Sequence, residues 1–204
     1  MASRTPIFIL DVGGVLLRHD NEILYDRLAA RCADPFAARS QLAASVHDQV
    51  IGSGHMSVAD LHGTLVAEYG LAATYDAFLV LWSSHFSAMP EMEPVMRALT
   101  ARHRVVLFSN TNAAHWAHVT AYYPILSYAR CAYLSFELGL VKPDPTAYRR
   151  VLTLEQCAAE DVVFVDDRAE NVAAATALGM DGIVFTDAMT FGAALADRGI
   201  RLDS

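Results

Sequence analysis

No apolar run in this sequence approaches the roughly 20 residues that a membrane-spanning helix needs, although 54% of the residues are hydrophobic. Cysteine is scarce: Cys32, Cys131 and Cys157 are few, widely spaced and odd in number. No CxxC pair occurs, which argues against a disulfide scaffold, a structural zinc site or a thioredoxin-like redox centre. Positive charge is short as well. Lys and Arg number 15 against 23 Asp and Glu, a formal net charge of −8, so the basic footprint of a nucleic-acid binder is missing. The first residues lack the long apolar stretch and small-residue cleavage site of a secretory signal. These absences lead us to expect reduced thiols, a cytoplasmic location, and neither a nucleic-acid nor a membrane partner. Monomer is the default state, with a dimer left open. An acidic protein that handles phosphate also needs concentrated local positive charge, from a metal ion or a placed Lys.

The 204 residues are enough for one sizeable domain, or for a core that carries a smaller insert. Short apolar runs at 7–10, 105–108, 131–135, 162–165 and 182–185 read as buried strands. Helical patterns fall between them at about 94–102, 113–122, 145–152, 169–178 and 188–198. Strands alternating with helices predict an α/β fold, a Rossmann-like parallel sheet flanked by helices. The stretch after Val15 breaks that rhythm, with helical segments near 22–31, 35–50, 57–69 and 75–86 and no convincing strand. Ser57-Val58-Ala59-Asp60 resembles a capping box that would start the third of these. The expected organisation is a core of residues 1–15 and 91–204 and a small all-helical cap of residues 16–90, inserted after the first strand.

Polar residues recur where the apolar strands end: Asp11 before Gly13-Gly14, then Ser109-Asn110, then Asp166-Asp167. In an open α/β sheet these ends line one crevice, where ligands bind. Lys142, in a loop before Pro143, can reach the same crevice. Carboxylates brought this close cannot all stay ionised without compensation, so a hard divalent cation is expected among them. A cation, an ammonium and loop amides together suit a phosphoryl group.

Ile9-Leu10-Asp11-Val12-Gly13-Gly14-Val15, Phe108-Ser109-Asn110-Thr111, Val141-Lys142-Pro143 and Phe164-Val165-Asp166-Asp167 resemble, in order and spacing, the four motifs of the haloacid dehalogenase superfamily. The resemblance spans nearly the whole chain, and the helical insert is similar to that family's small cap. Within it, the Ser-Asn-Thr-Asn, Leu-Gly-Leu-Val-Lys-Pro and Val-Asp-Asp-Arg-Ala-Glu-Asn stretches look closest to the bacterial α-D-glucose-1-phosphate phosphatase branch. The resemblance implies a Mg²⁺-dependent phosphatase in which Asp11 is the nucleophile and forms an aspartyl-phosphate. By the same resemblance, Ser109, the Asn110 amide and the Gly14 backbone hold phosphate oxygens, and Lys142 pairs with Asp11 and the phosphate. Asp11, the Gly13 carbonyl, Asp167 and Asp166 hold the metal, Asp166 directly or through water. The expected partner is a small phosphate ester, and the cap between Arg18 and Trp82 is expected to select it.

Gly13 departs from the family's phosphatases, which usually carry an acid/base Asp there. Losing such a group typically costs about 10²–10⁴-fold in rate. Three accounts compete: a leaving group good enough to depart unaided, such as an anomeric oxygen; a substitute among His19, Asp20 and His55; or a feeble site kept for binding. Simpler readings also stand beside the individual residues. Ser109-Asn110 can cap the helix near Ala113, Asp166 can cap the next helix, and Asn171 can be a residue behind the metal site or on a helix surface. His115 and His118 read as structural, Arg168 as solvated, and Trp82 and His85 as core in preference to substrate contacts. Among other activities, a carbon–halogen hydrolase has no need of two further carboxylates, and a phosphomutase needs the acid/base that Gly13 removes. A phosphoacceptor signalling domain should carry its acidic pair after the first strand.

Overall fold

The computed structural model describes residues 5–47 and 51–202; the end of the helix expected over 35–50 and both chain termini lie outside the described residues. After β1 (Ile7–Leu10) and β2 (Leu17–His19) come the helices α1 (Asn21–Ala29), α2 (Pro35–His47), α3 (Val58–Tyr69) and α4 (Tyr75–Trp82), and then β3 (Phe86–Ala88). The chain continues with α5 (Met92–Arg102), β4 (Arg104–Ser109), α6 (Ala113–Tyr122), β5 (Ala132–Leu134), α7 (Ser135–Leu138) and α8 (Pro145–Glu155). It ends with β6 (Val162–Asp166), α9 (Ala169–Ala177), β7 (Asp181–Val184) and α10 (Ala188–Asp197). A five-stranded sheet has the order β5-β4-β1-β6-β7, and every pairing in it is parallel.

Successive side chains of a strand point to opposite faces, and here both faces are covered. Phe8 and Leu10, Val105 and Leu107, and Val163 and Val165 pack on one side with Met92, Met96 and Leu99 of α5 and Phe191 and Leu195 of α10. Ile9, Val106, Phe108, Val162 and Phe164 pack on the other with Tyr148 and Val151 of α8 and Val172 and Ala175 of α9. Double burial explains why the strands read as unbroken apolar runs with no polar alternation.

The inserted segment has a core of its own, built from residues such as Leu24, Leu28, Leu42, Leu61, Leu65, Phe78 and Trp82. The capping box is present: Ser57 Oγ accepts from the Asp60 N–H at 3.0 Å, and the Asp60 carboxylate accepts from the Ser57 N–H at 3.2 Å. Gly70 closes α3 at φ +63, and a Cβ there would sit 2.8 Å from the Ala33 Cβ. The expectation of an all-helical insert needs correction. β2 and β3 pair antiparallel at its entrance and exit, Leu17 opposite Ala88 and His19 opposite Phe86. Strands of three residues are too short to print a period of two, and α4 stops at Trp82 because the chain must turn into this ribbon. The single-turn α7 was missed for the same reason of length.

Ser57→Ala removes one side of the capping box and should destabilise the protein by about 1 kcal/mol, read as a lower urea midpoint at unchanged slope.

Candidate active site

β1, β4 and β6 are neighbours in the sheet, and their carboxyl ends deliver Asp11, Ser109 and Asp166 to one edge. The chain leaves β1 on one side for β4 and β5 and returns on the other for β6 and β7, which makes this edge the switch point of the sheet. Beyond Asp11 the backbone folds back on itself, with Leu16 and Leu17 N–H donating to the Val12 carbonyl at 2.9 and 3.0 Å. Gly14 donates to Leu17 O at 2.8 Å. Gly14 has φ +74, and a Cβ on it would lie 2.2 Å from Asp167 Oδ2. Only glycine lets the first loop come this close to the Asp167 carboxylate.

Lys142 is the charge at the centre. Its side chain is fully buried, and Nζ donates to Asp166 Oδ2 at 2.6 Å and to the Phe108 carbonyl at 2.9 Å, and pairs with Asp11 Oδ2 at 3.0 Å. An ammonium has three donors, and these are three acceptors. Asn110 fixes the lysine's backbone: its Nδ2 donates to Lys142 O at 2.8 Å and its Oδ1 accepts from Lys142 N at 2.9 Å. Asp11 Oδ1 accepts from Val12 N–H at 2.7 Å, so both carboxylate oxygens are oriented. Asp166 is buried beneath the site, with Oδ1 accepting from Arg168 N–H and from Asn171 Nδ2, each at 2.9 Å. Asn171 also reaches Asp166 Oδ2 at 3.0 Å. Asn171 is therefore a buried positioning residue and not a helix-surface one, and its Oδ1 is buried with no hydrogen-bond partner.

Oxygens of Asp11, Asp166 and Asp167 lie within 4.8 Å of one another. Burial pushes the Asp11 carboxyl up to about 7, Asp166 adds to the rise, and Lys142 opposes it. Burial and Asp166 also raise Asp167. Burial works against the Lys142 ammonium, but Asp11 and Asp166 outweigh it and hold its pKa above the ordinary value. Three carboxylates against one ammonium leave two negative charges in surplus. That surplus, and an all-oxygen donor set, fit a hard divalent cation.

A cavity of about 170 Å³ opens over Asp11, bordered by Gly13, Ser109, Asn110, Lys142 and Asp167 from below and by His19, Leu24, Ile51, Trp82 and His85 from the insert. The expected site residues are thus brought together, except that Asp166 and Gly14 are not among the cavity's lining residues: Asp166 lies under the floor, and Gly14 packs against the Asp167 carboxylate. Neither simpler helix-cap reading holds. Asn112 caps α6 by accepting from His115 N–H at 3.0 Å, and the N-cap of α9 is Arg168, with no side-chain bond. Arg168 is exposed and pairs with Glu170. Of the three substitutes for the missing acid/base, only His19 reaches the site. A Cβ built on Gly13 would meet His19 Cδ2 at 3.1 Å and Nε2 at 3.2 Å, so the imidazole occupies the room a side chain there would need. Asp20 is spent capping α1, accepting from Glu22 N–H at 2.9 Å, and His55 Nδ1 bonds Ser53 Oγ at 2.6 Å. Trp82 and His85 are buried, as core residues are, yet both border the cavity. Asn112, the last residue of the Ser-Asn-Thr-Asn stretch, lines it too, as do Ile51 and Trp116; no motif marks the latter two, because loop and helix packing alone brings them there.

A model of the haloacid dehalogenase-like hydrolases matches residues 5–179. The chain belongs to this family. As a haloacid dehalogenase-like hydrolase, it is 32% identical over 123 residues to flavin mononucleotide hydrolase 1 of Arabidopsis thaliana, covering 58% of this chain and 49% of that protein. It is 45% identical over 51 residues to the sesquiterpene phosphatase astK of Aspergillus oryzae, 25% of this chain and 26% of that one. The chain therefore spans half or less of these relatives. A haloacid dehalogenase family enzyme from Bacteroides thetaiotaomicron superposes with a TM-score of 0.78 at 21% identity, covering 90% of this chain and 94% of that one. That enzyme has also been solved with magnesium and inorganic phosphate.

Raised carboxyl pKa values set the sign of a pH effect on the metal-free protein. A carboxyl whose folded pKa lies above its unfolded value makes the fold lose stability as pH rises between the two, here from about 4 to about 7 for Asp11. Thermal melts in EDTA should fall across that window, Mg²⁺ should restore more at its upper end than at its lower end, and Asp11→Asn should flatten the slope.

Proposed function

We propose that this hydrolase is a Mg²⁺-dependent phosphatase of small phosphate monoesters, sugar phosphates such as α-D-glucose 1-phosphate among them, and that Asp11 carries the phosphoryl group in transit. The observation behind this reading is the Asp11 carboxylate, held by Val12 N–H and Lys142 Nζ at the floor of a cavity whose other carboxylate is Asp167. An Asp11 oxygen attacks phosphorus as the ester oxygen departs, and water then attacks the aspartyl-phosphate, returning the carboxylate and releasing phosphate. Ser109 and the loop amides would receive phosphoryl oxygens. Asp11, Asp167 and the Gly13 carbonyl would hold Mg²⁺, with Asp166 anchoring the lysine between them; the ion supplies neutralisation of phosphoryl charge. The phosphatase names of the relatives support the same reaction class. A dehalogenase reading gains nothing from the surplus of carboxylates.

His19, a weakly basic leaving oxygen and a feeble site kept for binding are the three accounts of Gly13; the last predicts little turnover of any ester, and the first two differ in outcome. If His19 supplies the proton, His19→Ala should slow esters of poor leaving groups by about 10²-fold and p-nitrophenyl phosphate far less. If the leaving group departs unaided, the variant should slow all esters equally or not at all.

The reading itself is tested by phosphate release from p-nitrophenyl phosphate and α-D-glucose 1-phosphate. Turnover should need Mg²⁺, stop in EDTA, and fall by about 10³-fold or more in Asp11→Asn. Equal turnover by that variant would remove Asp11 from the chemistry.

A further inference from the structure

His85 lies between α4 and β3 and is only 6% exposed. Both of its ring nitrogens are buried and neither makes a well-formed hydrogen bond; the Trp82 carbonyl, which interacts with the ring, already accepts from His115 Nε2. The ring borders the cavity over Asp11 and packs against Phe86 and His115, with centroids 4.1 and 5.0 Å apart. Its neighbours have spent their polar atoms inside the protein. His115 Nδ1 meets Asn112 Nδ2 at 3.0 Å and its Nε2 meets the Trp82 carbonyl at 3.0 Å, while Trp82 Nε1 reaches Asn112 Oδ1 at 3.5 Å. Leaving a buried polar atom unmet costs more than an ordinary hydrogen bond contributes, so a buried ring with two such atoms beside a cavity points to something that enters the cavity.

The chemistry of that occupant follows from the wall. Burial and the neighbouring His19 push the His85 pKa down to about 4, so the ring is neutral and offers one N–H donor and one bare nitrogen. Leu24, Phe86, Trp116 and Val119 border the same cavity and offer no side-chain hydrogen-bond acceptor. A volume of about 170 Å³ is below the roughly 300 Å³ at which drug-sized ligand pockets begin. The occupant is compact and uncharged on this side.

We infer that His85 is a specificity-determining residue, taking up a hydroxyl of the leaving group while the phosphate lies against Asp11. The substrate class is a phosphate monoester of a small neutral alcohol that carries a second hydroxyl, an inference that rests on the phosphatase reading above. A hydroxyl both donates and accepts, so it can meet either nitrogen of the ring.

The test compares phenyl phosphate with its ortho-, meta- and para-hydroxy derivatives, using the whole protein with Mg²⁺, as wild type, His85→Phe and His85→Asn. In the wild type, kcat/KM for one hydroxy isomer should exceed that for phenyl phosphate by at least about tenfold. That ratio should collapse to near one in His85→Phe and be partly kept in His85→Asn, which retains a donor and an acceptor. A ratio is read because general damage to the fold lowers all four rates together. If His85→Phe does not fold, as judged by its melt, the reduced ratio in His85→Asn decides. Equal rates on all four esters in the wild type, or an isomer preference that survives the substitutions, would overturn the inference while leaving the phosphatase intact. Wild-type protein that turns over none of the four would overturn the phosphatase reading and this inference with it.

Discussion

One buried ammonium organises the active edge of this protein. Lys142 holds Asp11 and Asp166 at hydrogen-bonding distance and anchors itself on the Phe108 carbonyl, so it ties the ends of β1, β4 and β6 to a single point. Removing one partner from a buried ion cluster is strongly destabilising, because the survivors stay uncompensated. The lysine in turn is held by Asn110 through both main-chain groups, and Asp166 by Asn171 and the Arg168 amide. Positions far apart in sequence therefore share one electrostatic balance, and its surplus of negative charge fits an added cation.

Much of this was legible in the sequence because each feature carried a local signal. Apolar runs gave the strands, since burial on both faces removes polar alternation, and the polar residues at their ends gave the site. Asp11, Ser109, Lys142, Asp166 and Asp167 could be singled out because each closes a strand or sits in a loop facing the same edge. The illegible parts depend on distant packing. The β2–β3 ribbon is too short to show a period and forms only when segments on either side of four helices meet. Asn171 ends the Val-Asp-Asp-Arg-Ala-Glu-Asn stretch, but whether it stands behind the site or on the helix surface depends on the helix packing that turns it inward to Asp166. His19 is one of eight histidines, and only the folded ribbon sets it over Gly13.

The cavity has two unlike halves. Its floor is charged and built from strand ends, where main-chain geometry holds each group in place. Its roof is aromatic and imidazole-rich and is shared: Trp82 and His85 come from the insert and His115 and Trp116 from α6, with Trp82 stacked between Phe78 and His115. The two halves meet where the Ser135 hydroxyl donates to the Gly52 carbonyl and accepts from Thr111 N–H.

The paired ribbon at the neck of the insert bears on how the molecule assembles. β1 must find β4 across the whole inserted segment before the central sheet exists, and the entropy of closing a loop grows only logarithmically with its length, about 0.6 kcal/mol for each doubling. Because β2 and β3 bring the two ends of the insert side by side, the sheet meets a stem of fixed width whatever lies beyond it. Lineages can lengthen, shorten or rebuild the roof at little cost to nucleation of the central sheet, and a single hydrolytic floor can be handed from one substrate to another over evolutionary time.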